Sequence, residues 1–154
     1  MSIRHFAVPA SYLILRRGNE ILLGRRQGTG YYCGWYDVPS GHVEPHEMPI
    51  NAMIREAKEE IGIDLDRTDL RLVHTMYRTA TDATGDRADY FFTATKWKGE
   101  PSIAEPHKCD DQRWFAVDAL PENLMHHIKD AILAIERREV YSEVGIDKAY
   151  KSPT

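Results

Sequence analysis

Three glutamates, Glu56, Glu59 and Glu60, have the spacing of one face of an α-helix. At 3.6 residues per turn, roughly 100° per residue, their side chains fall within a sector of about 100°. Glutamates three and four positions apart repel each other by a few tenths of a kcal/mol, and a bound divalent cation would turn this repulsion into attraction. Because the ligands would all be oxygen atoms, the pattern favours Mg²⁺, with Mn²⁺ as a substitute, and phosphate oxygens as further ligands.

The element that must position these glutamates is predicted to be a helix over residues 49–61. Pro49 suits the first turn, and Gly62 suits the position just past the last turn. Apolar residues at helical spacing supply the buried face, and they are Ile50, Ile54, Ala57 and Ile61. The helix therefore has one apolar face and a separate face of carboxylates.

Two other interpretations of the glutamates were weighed. An isolated Glu-x-x-Glu-Glu would usually be a solvated acidic helix face. An iron carboxylate site needs Glu-x-x-His on two helices, and no histidine lies between His46 and His74. The wider segment decides against both interpretations.

That segment consists of Gly41, five residues, Glu47, seven residues, and then Arg-Glu-Ala-Lys-Glu-Glu-Ile-Gly-Ile over residues 55–63. It resembles the signature of the Nudix hydrolases, which cleave a nucleoside diphosphate linked to another group. The resemblance implies an α/β fold, an α/β/α sandwich with a mixed sheet, and a catalytic Mg²⁺. Ser40 and His46 depart from the pattern, since the family often has glycine at both positions, and they affect backbone freedom more than ligand chemistry.

The resemblance also implies roles for individual residues. Glu59 and Glu60 match the principal metal ligands, and Glu56 matches a further ligand or a base that acts through a metal-bound water. The Gly41 carbonyl matches a backbone ligand. Arg55 matches the arginine that orients the glutamates, and Glu47 matches a glutamate with a more structural role.

Downstream, Glu105-Pro-His-Lys108 followed by Trp114-Phe115 extends the resemblance to MutT-like members over roughly residues 6–135. Glu105 is expected to be another metal ligand or the general base, and the alternative is an exposed loop charge. Since strand side chains alternate between faces, only one of two consecutive arginines can face the site. We expect Arg26 to contact phosphate and Arg25 to face solvent. His42 matches a position that is often basic and near phosphate.

The substrate is predicted mainly from features that are missing. The proline of ADP-ribose hydrolases has no counterpart, because no proline lies between Pro49 and Pro101. Tyr77 keeps a dinucleoside polyphosphate open. The mammalian oxidised-purine enzyme has a tryptophan and paired aspartates where this chain reads Leu-Met-His-His over 124–127, so a preference for 8-oxo-dGTP is not predicted. A nucleoside triphosphate cleaved to a monophosphate and pyrophosphate is the expected substrate.

An aromatic loop precedes the signature. Tyr31, Tyr32 and Trp35 could stack on a nucleobase or cover the core. The rival function from another class is a non-catalytic Nudix-like module that binds a nucleotide or a protein. Such domains usually lack glutamates of the signature, and none is missing here.

The length of 154 residues fits one domain, predicted over residues 1–140, with a polar tail over 141–154 that frays. The net charge of −4 argues against duplex nucleic acid as a partner. Cys33 and Cys109 lack any C-x-x-C pattern, so reduced thiols are expected. The residues around 6–15 do not resemble a signal peptide or a membrane span, so we expect a cytoplasmic protein. A homodimer is left open.

Strand signals surround the helix. A hairpin is expected from residues 7–16 and 20–26, followed by a loop over 27–35 and a short strand at 36–38. Further strands are expected near 70–79, 88–97 and 113–117, with a turn at 81–87 and a long loop over 98–112. A second amphipathic helix is expected at about 125–140.

Overall fold

The computed structural model describes residues 4–28, 30–79 and 85–145, and within these ranges the chain forms eight strands and two helices with a mixed sheet. The strands are β1 (Ala7–Arg17), β2 (Glu20–Arg26), β3 (Tyr36–Asp37), β4 (Ser40–His42), β5 (Arg71–Arg78), β6 (Asp86–Ala94), β7 (Cys109–Ala116) and β8 (Tyr141–Val144). The helices are α1 (Pro49–Ile61) and α2 (His126–Glu136), and a short 3₁₀ turn spans Arg67–Asp69.

Strand β1 organises the sheet. It pairs in parallel with β6 along Ala7–Leu15 and antiparallel with β4 at Ala10–Tyr12. Its last two residues begin the antiparallel pairing with β2. The main order is β3-β2-β1-β6-β5-β8, with β4 beside β1 and β7 beside β2. This arrangement brings the ends of β2, β4 and β7 close to α1.

Alternation along β1 divides the core into two layers. On one face, Leu13 and Leu15 pack with the apolar side of α1, including Met53 and Ala57. On the other face, Tyr12 and Ile14 belong to the same cluster as the apolar residues of α2. The chain is therefore an α/β/α sandwich around a mixed sheet, which confirms the predicted fold class.

Helix α1 has the bounds predicted from sequence, because its signals are local. Pro49 lies in the first turn, and Gly62 ends the helix in the left-handed conformation with φ of 72°. The Gly62 N–H donates to the Lys58 carbonyl at 3.1 Å. A residue with a Cβ would be strained at this position.

Several other elements differ from the expectation. Strand β7 begins at Cys109, so the preceding loop is shorter than residues 98–112. Helix α2 ends at Glu136, where an Arg137 backbone near φ −83° and ψ 1° replaces the expected last turn. Strand β4 was not predicted, because three residues show no alternation.

The expected fraying of residues 141–154 is wrong for the first four of them. Strand β8 pairs in parallel with β5, with Tyr141 opposite Thr75 and Val144 opposite Arg78. A parallel partner distant in sequence leaves no local signal. Residues 146–154, and residues 81–84 of the expected turn, lie outside the described part of the chain.

Neither of the helices in the described ranges has the length and apolar character needed to cross a bilayer.

Candidate active site

The carboxylate face of α1 points away from its buried residues. Ala52, Met53, Ala57 and Ile61 face the core, which leaves Glu56, Glu59 and Glu60 toward β4 and solvent. Their environments nevertheless differ strongly. The Glu56 side chain is 14% exposed and that of Glu59 is 50% exposed.

Arg55 holds the outer part of this face together. Its Nε and one terminal nitrogen donate to both carboxylate oxygens of Glu47, at 2.8 and 3.0 Å. The other terminal nitrogen donates to Glu56 at 2.7 Å and to Glu59 at 3.3 Å. A further hydrogen bond reaches the His42 carbonyl at 3.1 Å. Arg55 therefore fixes two of the predicted ligands and the backbone of β4, and Glu47 anchors Arg55 through a bidentate ion pair.

Gly41 lies so close to Glu56 that a larger residue would displace the Glu56 side chain. A Cβ added to Gly41 would overlap the Glu56 carboxyl group. The close approach places the backbone of β4 directly against this carboxylate. Burial raises the pKa of Glu56 above its ordinary value, the Arg55 ion pair opposes the rise, and the charges of Glu59 and Glu105 add to it.

Glu60 lies deeper than its neighbours. Its carboxylate accepts a hydrogen bond from the Ser40 backbone N–H at 3.1 Å. It is partly exposed and lines a cavity, and in the described part of the chain it forms no salt bridge. Burial is the main cause that raises its pKa well above the ordinary value, and the charges of Glu56, Asp37 and Glu105 raise it further. A negative charge at Glu60 therefore has no ion-pair contact with a lysine or arginine in the described part of the chain.

A cavity of about 310 Å³ opens between the ends of β2 and β7 and the C-terminal half of α1. Glu60 and Glu105 both line it, so the structure brings these two predicted site residues to one space. The Lys108 ammonium donates to Glu105 at 3.2 Å. Asp37 and Arg26 also line this cavity, and a terminal guanidinium nitrogen of Arg26 lies 3.3 Å from a carboxylate oxygen of Asp37.

Arg25 and Arg26 are both among the residues that line this cavity. The Arg25 side chain is 37% exposed, so the expectation that Arg26 contacts phosphate and Arg25 faces solvent stays a prediction. A register shift between Arg25 and Arg26 breaks the regular alternation of the strand. Arg25 is held by Asp110 at 2.7 Å. Arg26 bonds to Asp37 and to the Tyr31 carbonyl at 3.2 Å, and its guanidinium lies 5.5 Å from the Tyr31 ring centre.

His42 is exposed and is not among the residues that line the cavity. Its role in phosphate binding therefore stays a prediction.

The aromatic loop is divided between core and surface. Tyr32 is buried, and its hydroxyl pairs with His126 Nδ1 at 3.0 Å. Tyr31 is exposed beside Arg26. Tyr32 therefore covers the core, Trp35 is partly buried against the same cluster, and Tyr31 is exposed.

The donor set suits a divalent cation. Carboxylates crowd one region, and burial and mutual repulsion disfavour the charged forms of Glu56 and Glu60. A hard cation that prefers oxygen would relieve both costs. As arranged here, the described residues contain no group of three His, Cys, Asp or Glu side chains placed together to hold one ion. Glu56 and Glu59 instead turn toward Arg55, so metal binding requires rotation of these side chains.

Three contributors to the site were not found by sequence reasoning. They are the Ser40 N–H, the buried Asp37, and Lys108. Ser40 was noted only as a departure from the pattern, and Asp37 only as part of a strand. Their contacts with Glu60 and Arg26 depend on tertiary packing.

The chain is similar to known proteins over most of its length. The model of the NUDIX domain family matches residues 5–134. The chain is 32% identical over 91 residues to the 8-oxo-dGTP diphosphatase of Proteus vulgaris, which covers 59% of this chain and 78% of that protein. It is 28% identical over 113 residues to the NAD-capped RNA hydrolase NudC of Stutzerimonas stutzeri (strain A1501), which covers 73% of this chain and 38% of that protein. The chain thus spans well under half the length of the NudC relative.

The fold is also similar to a solved structure. The crystal structure of a MutT NUDIX hydrolase from Burkholderia pseudomallei superimposes with a TM-score of 0.76 at 27% identity. The superposition covers 84% of this chain and 98% of that one.

Proposed function

The chain belongs to the Nudix hydrolase family, and from this premise we propose that it hydrolyses a phosphoanhydride bond in a nucleoside triphosphate or another nucleoside diphosphate derivative, with Mg²⁺ as cofactor. The products would be a nucleoside monophosphate and pyrophosphate. Nudix hydrolases generally use divalent metal ions, and Mn²⁺ is the expected substitute.

One observation carries the proposal. Glu60 and Glu105 line one cavity, and the charges of Glu56, Asp37 and Glu105 all act to raise the pKa of Glu60. Such a set is unfavourable without a cation, because each carboxylate opposes ionisation of the next. Its persistence in one cavity supports a binding role in preference to a structural one.

The residues of this chain divide the work. Arg55 positions Glu56 and Glu59 through hydrogen bonds of 2.7 and 3.3 Å. Because Gly41 has no Cβ, the backbone of β4 can lie directly against the Glu56 carboxyl group. We propose Gly41, Glu56, Glu59, Glu60 and Glu105 as the ligand set. The chemistry that a bound divalent cation would supply is activation of the attacking water and neutralisation of charge on the phosphate oxygens.

The opposite wall would receive the phosphate chain. Arg26 is held by Asp37 and lies at the cavity, so it remains the proposed phosphate contact. Arg25 lines the same space and is a second candidate. Tyr31 lies against Arg26 and could stack on a nucleobase, whereas Tyr32 is buried in the core.

The class of nucleotide follows less directly. One relative is named for 8-oxo-dGTP and another for NAD-capped RNA. In this chain, Leu124 and Met125 belong to the apolar core and His127 is buried, so these three residues do not form a free polar surface for an oxidised base. We therefore keep the broader class of nucleoside triphosphates.

The test is release of pyrophosphate or phosphate from a panel of nucleotides in Mg²⁺, in Mn²⁺ and in EDTA. The panel should contain the common and oxidised triphosphates, dinucleoside polyphosphates, ADP-ribose and NAD-capped RNA. We expect turnover of at least one triphosphate in Mg²⁺ and none in EDTA. A folded protein that turns over none of them would overturn the proposal.

The second candidate is a non-catalytic Nudix-like module. Retention of Glu56, Glu59 and Glu60 argues against it, because such modules usually lack glutamates of the signature. The same panel separates the two candidates, since a binding module would show saturable nucleotide binding without turnover.

A further inference from the structure

We propose that Lys108 binds a phosphate oxygen of the substrate and exchanges its ion pair with Glu105 for this contact when the substrate enters. This inference rests on the proposed function. It gives a role to Lys108, which the proposed function does not use. It makes Lys108 a substrate-binding residue of the cavity wall.

Lys108 lies on a rigid turn at the cavity mouth. The Lys108 and Cys109 N–H groups both donate to the Glu105 carbonyl, at 2.9 and 3.2 Å. The Gln27 N–H donates to the Lys108 carbonyl at 2.9 Å, and the Gln27 side chain bonds to the Pro106 carbonyl. The turn is therefore fixed to the end of β2.

Gly28 shows how tightly this turn is docked. It has φ of +75°, and a Cβ at this position would overlap the His107 carbonyl oxygen. The backbone after β2 thus lies directly against residues 105–108. The backbone that carries the Lys108 side chain is therefore held in place.

The charged end of Lys108 is available for exchange. Its side chain is 59% exposed, and its ammonium nitrogen lies 3.2 Å from the carboxylate of Glu105, which is three residues earlier in the sequence. Ion pairs that are open to solvent stabilise a protein little, so a phosphate oxygen can replace the carboxylate at small cost. The flexible four-carbon stem of lysine allows the ammonium to follow the new partner.

The surrounding charges explain why a cation is placed there. The carboxylates of Glu105, Glu60 and Glu56 all act on Lys108 and contribute to raising the pKa of its ammonium group. Without Lys108, a phosphate entering the cavity would meet these negative charges at the mouth. Arg25 and Arg26 each form an ion pair with an aspartate, Arg25 with Asp110 at 2.7 Å and Arg26 with Asp37 at 3.3 Å. Lys108 differs because its partner, Glu105, is itself proposed to turn toward a cation.

The binding test uses inorganic pyrophosphate in Mg²⁺, measured by calorimetry with the full chain. Lys108→Ala should weaken binding roughly tenfold, as expected for loss of one charged hydrogen bond. Lys108→Arg should stay within about threefold of the parent because it keeps the positive charge. Lys129→Ala is the control, since Lys129 is exposed on α2 and outside the cavity. Unchanged pyrophosphate affinity in Lys108→Ala would overturn the inference.

A double-mutant comparison separates direct contact from positioning of Glu105. If Lys108 binds phosphate, Lys108→Ala should weaken pyrophosphate binding about as much in a Glu105→Gln background as in the parent. If Lys108 only holds Glu105, its loss should have no further effect in that background, and the inference is wrong. With a nucleotide that turns over, the single variant should raise KM and leave kcat within about threefold, as for a contact kept in ground and transition states.

The inference and the proposed function can fail separately. Absence of turnover across the nucleotide panel, with weaker pyrophosphate binding in Lys108→Ala, would remove the hydrolase proposal and keep the phosphate contact. Normal turnover with unchanged binding and KM in Lys108→Ala would keep the hydrolase and remove the contact.

Discussion

At the scale of single residues, Glu59 and Glu60 show how adjacent positions of one motif acquire different properties. Glu59 is half exposed and bonds to Arg55. Glu60 is less exposed than Glu59 and lines the cavity, and its pKa is raised by burial and by neighbouring carboxylates. A group whose pKa is raised by folding contributes stability below its unfolded pKa and loses it as the pH rises through the folded value. At neutral pH and without metal, Glu60 therefore destabilises the fold.

Glu60→Gln should accordingly melt at a higher temperature than the parent in EDTA at neutral pH. Glu59→Gln should change the free energy of unfolding by no more than about 0.5 kcal/mol, because its ion pair is exposed. In excess Mn²⁺ the order should reverse. The parent should gain about 2.7 kcal/mol at a hundredfold excess over Kd, and Glu60→Gln should lose most of that gain.

Thermal melts of both variants with and without metal provide the measurement, with Glu122→Gln as an exposed control outside the cavity. A Glu60→Gln variant that melts much lower in EDTA would show that Glu60 is a structural hydrogen-bond partner of Ser40.

Asp37 is a second buried acid at the cavity. Burial raises its pKa to about 6, against the opposing effect of Arg26 and the Val38 N–H. Its folded pKa exceeds the unfolded value, so its contribution to stability is complete below about pH 4 and is lost as the pH rises through about 6.

Asp37→Asn should therefore gain stability relative to the parent as the pH rises. The difference in free energy of unfolding should grow by about 1 kcal/mol between roughly pH 5 and 7.5. Urea unfolding of both proteins at the two pH values measures it. A difference that is constant or shrinks with pH would mean that the Arg26 ion pair keeps Asp37 charged throughout.

At the scale of elements, the site depends on the contact between β4 and α1. Strand β4 has only three residues, and a Cβ on Gly41 at its centre would displace the Glu56 side chain from its present position. The Arg55 bond to the His42 carbonyl ties the same strand to the helix. The geometry of the carboxylate face is therefore a property of this pair of elements.

Gly41→Ala should push Glu56 out of position and lower kcat/KM by roughly 10²-fold, the size expected for a displacement of about 1 Å. Stability should fall by about 1–3 kcal/mol from overpacking. Gly30→Ala is the matched control, because a Cβ at Gly30 meets no atom within 4 Å and its φ is not in the left-handed region. Steady-state kinetics and thermal melts test the pair, and equal behaviour of the two variants would contradict the steric account.

At the scale of the whole molecule, the C-terminal strand is tied to the sheet by a buried histidine. His74 is 1% exposed, its Nδ1–H donates to the Glu139 carbonyl at 2.8 Å, and its Nε2 pairs with the Ser142 hydroxyl at 2.7 Å. These bonds hold β8 at the end of the sheet opposite β3. The strand is thus structural and lies across the sheet from the cavity.

Ser142→Ala should leave the His74 ring with an unsatisfied buried nitrogen and lower the free energy of unfolding by about 1–3 kcal/mol. Catalytic constants for any accepted nucleotide should not change. Urea unfolding measures the loss, with the exposed Ser102→Ala as control. Equal stability of the two variants would show that β8 docks without this contact.

The sequence by itself determined the features whose causes are local. Helix α1 spans the predicted residues 49–61, since Pro49, Gly62 and the apolar spacing act within a few turns. The type of chemistry also followed from sequence, because the order and spacing of Gly41, Arg55 and the glutamates identify the family without coordinates. The sandwich fold followed from the same identification.

Only the tertiary structure decided which signature glutamate lines the cavity, where the alternation of β2 is interrupted, and how β8 joins the sheet. Glu59 and Glu60 are adjacent in sequence, and only packing against Ser40 and the cavity separates them. The register shift in β2 interrupts the alternation that would place Arg25 and Arg26 on opposite faces. Strand β8 and the docking of Lys108 arise from partners far apart in sequence. Burial and parallel pairing depend on the whole packed chain, so short-range sequence patterns do not predict them.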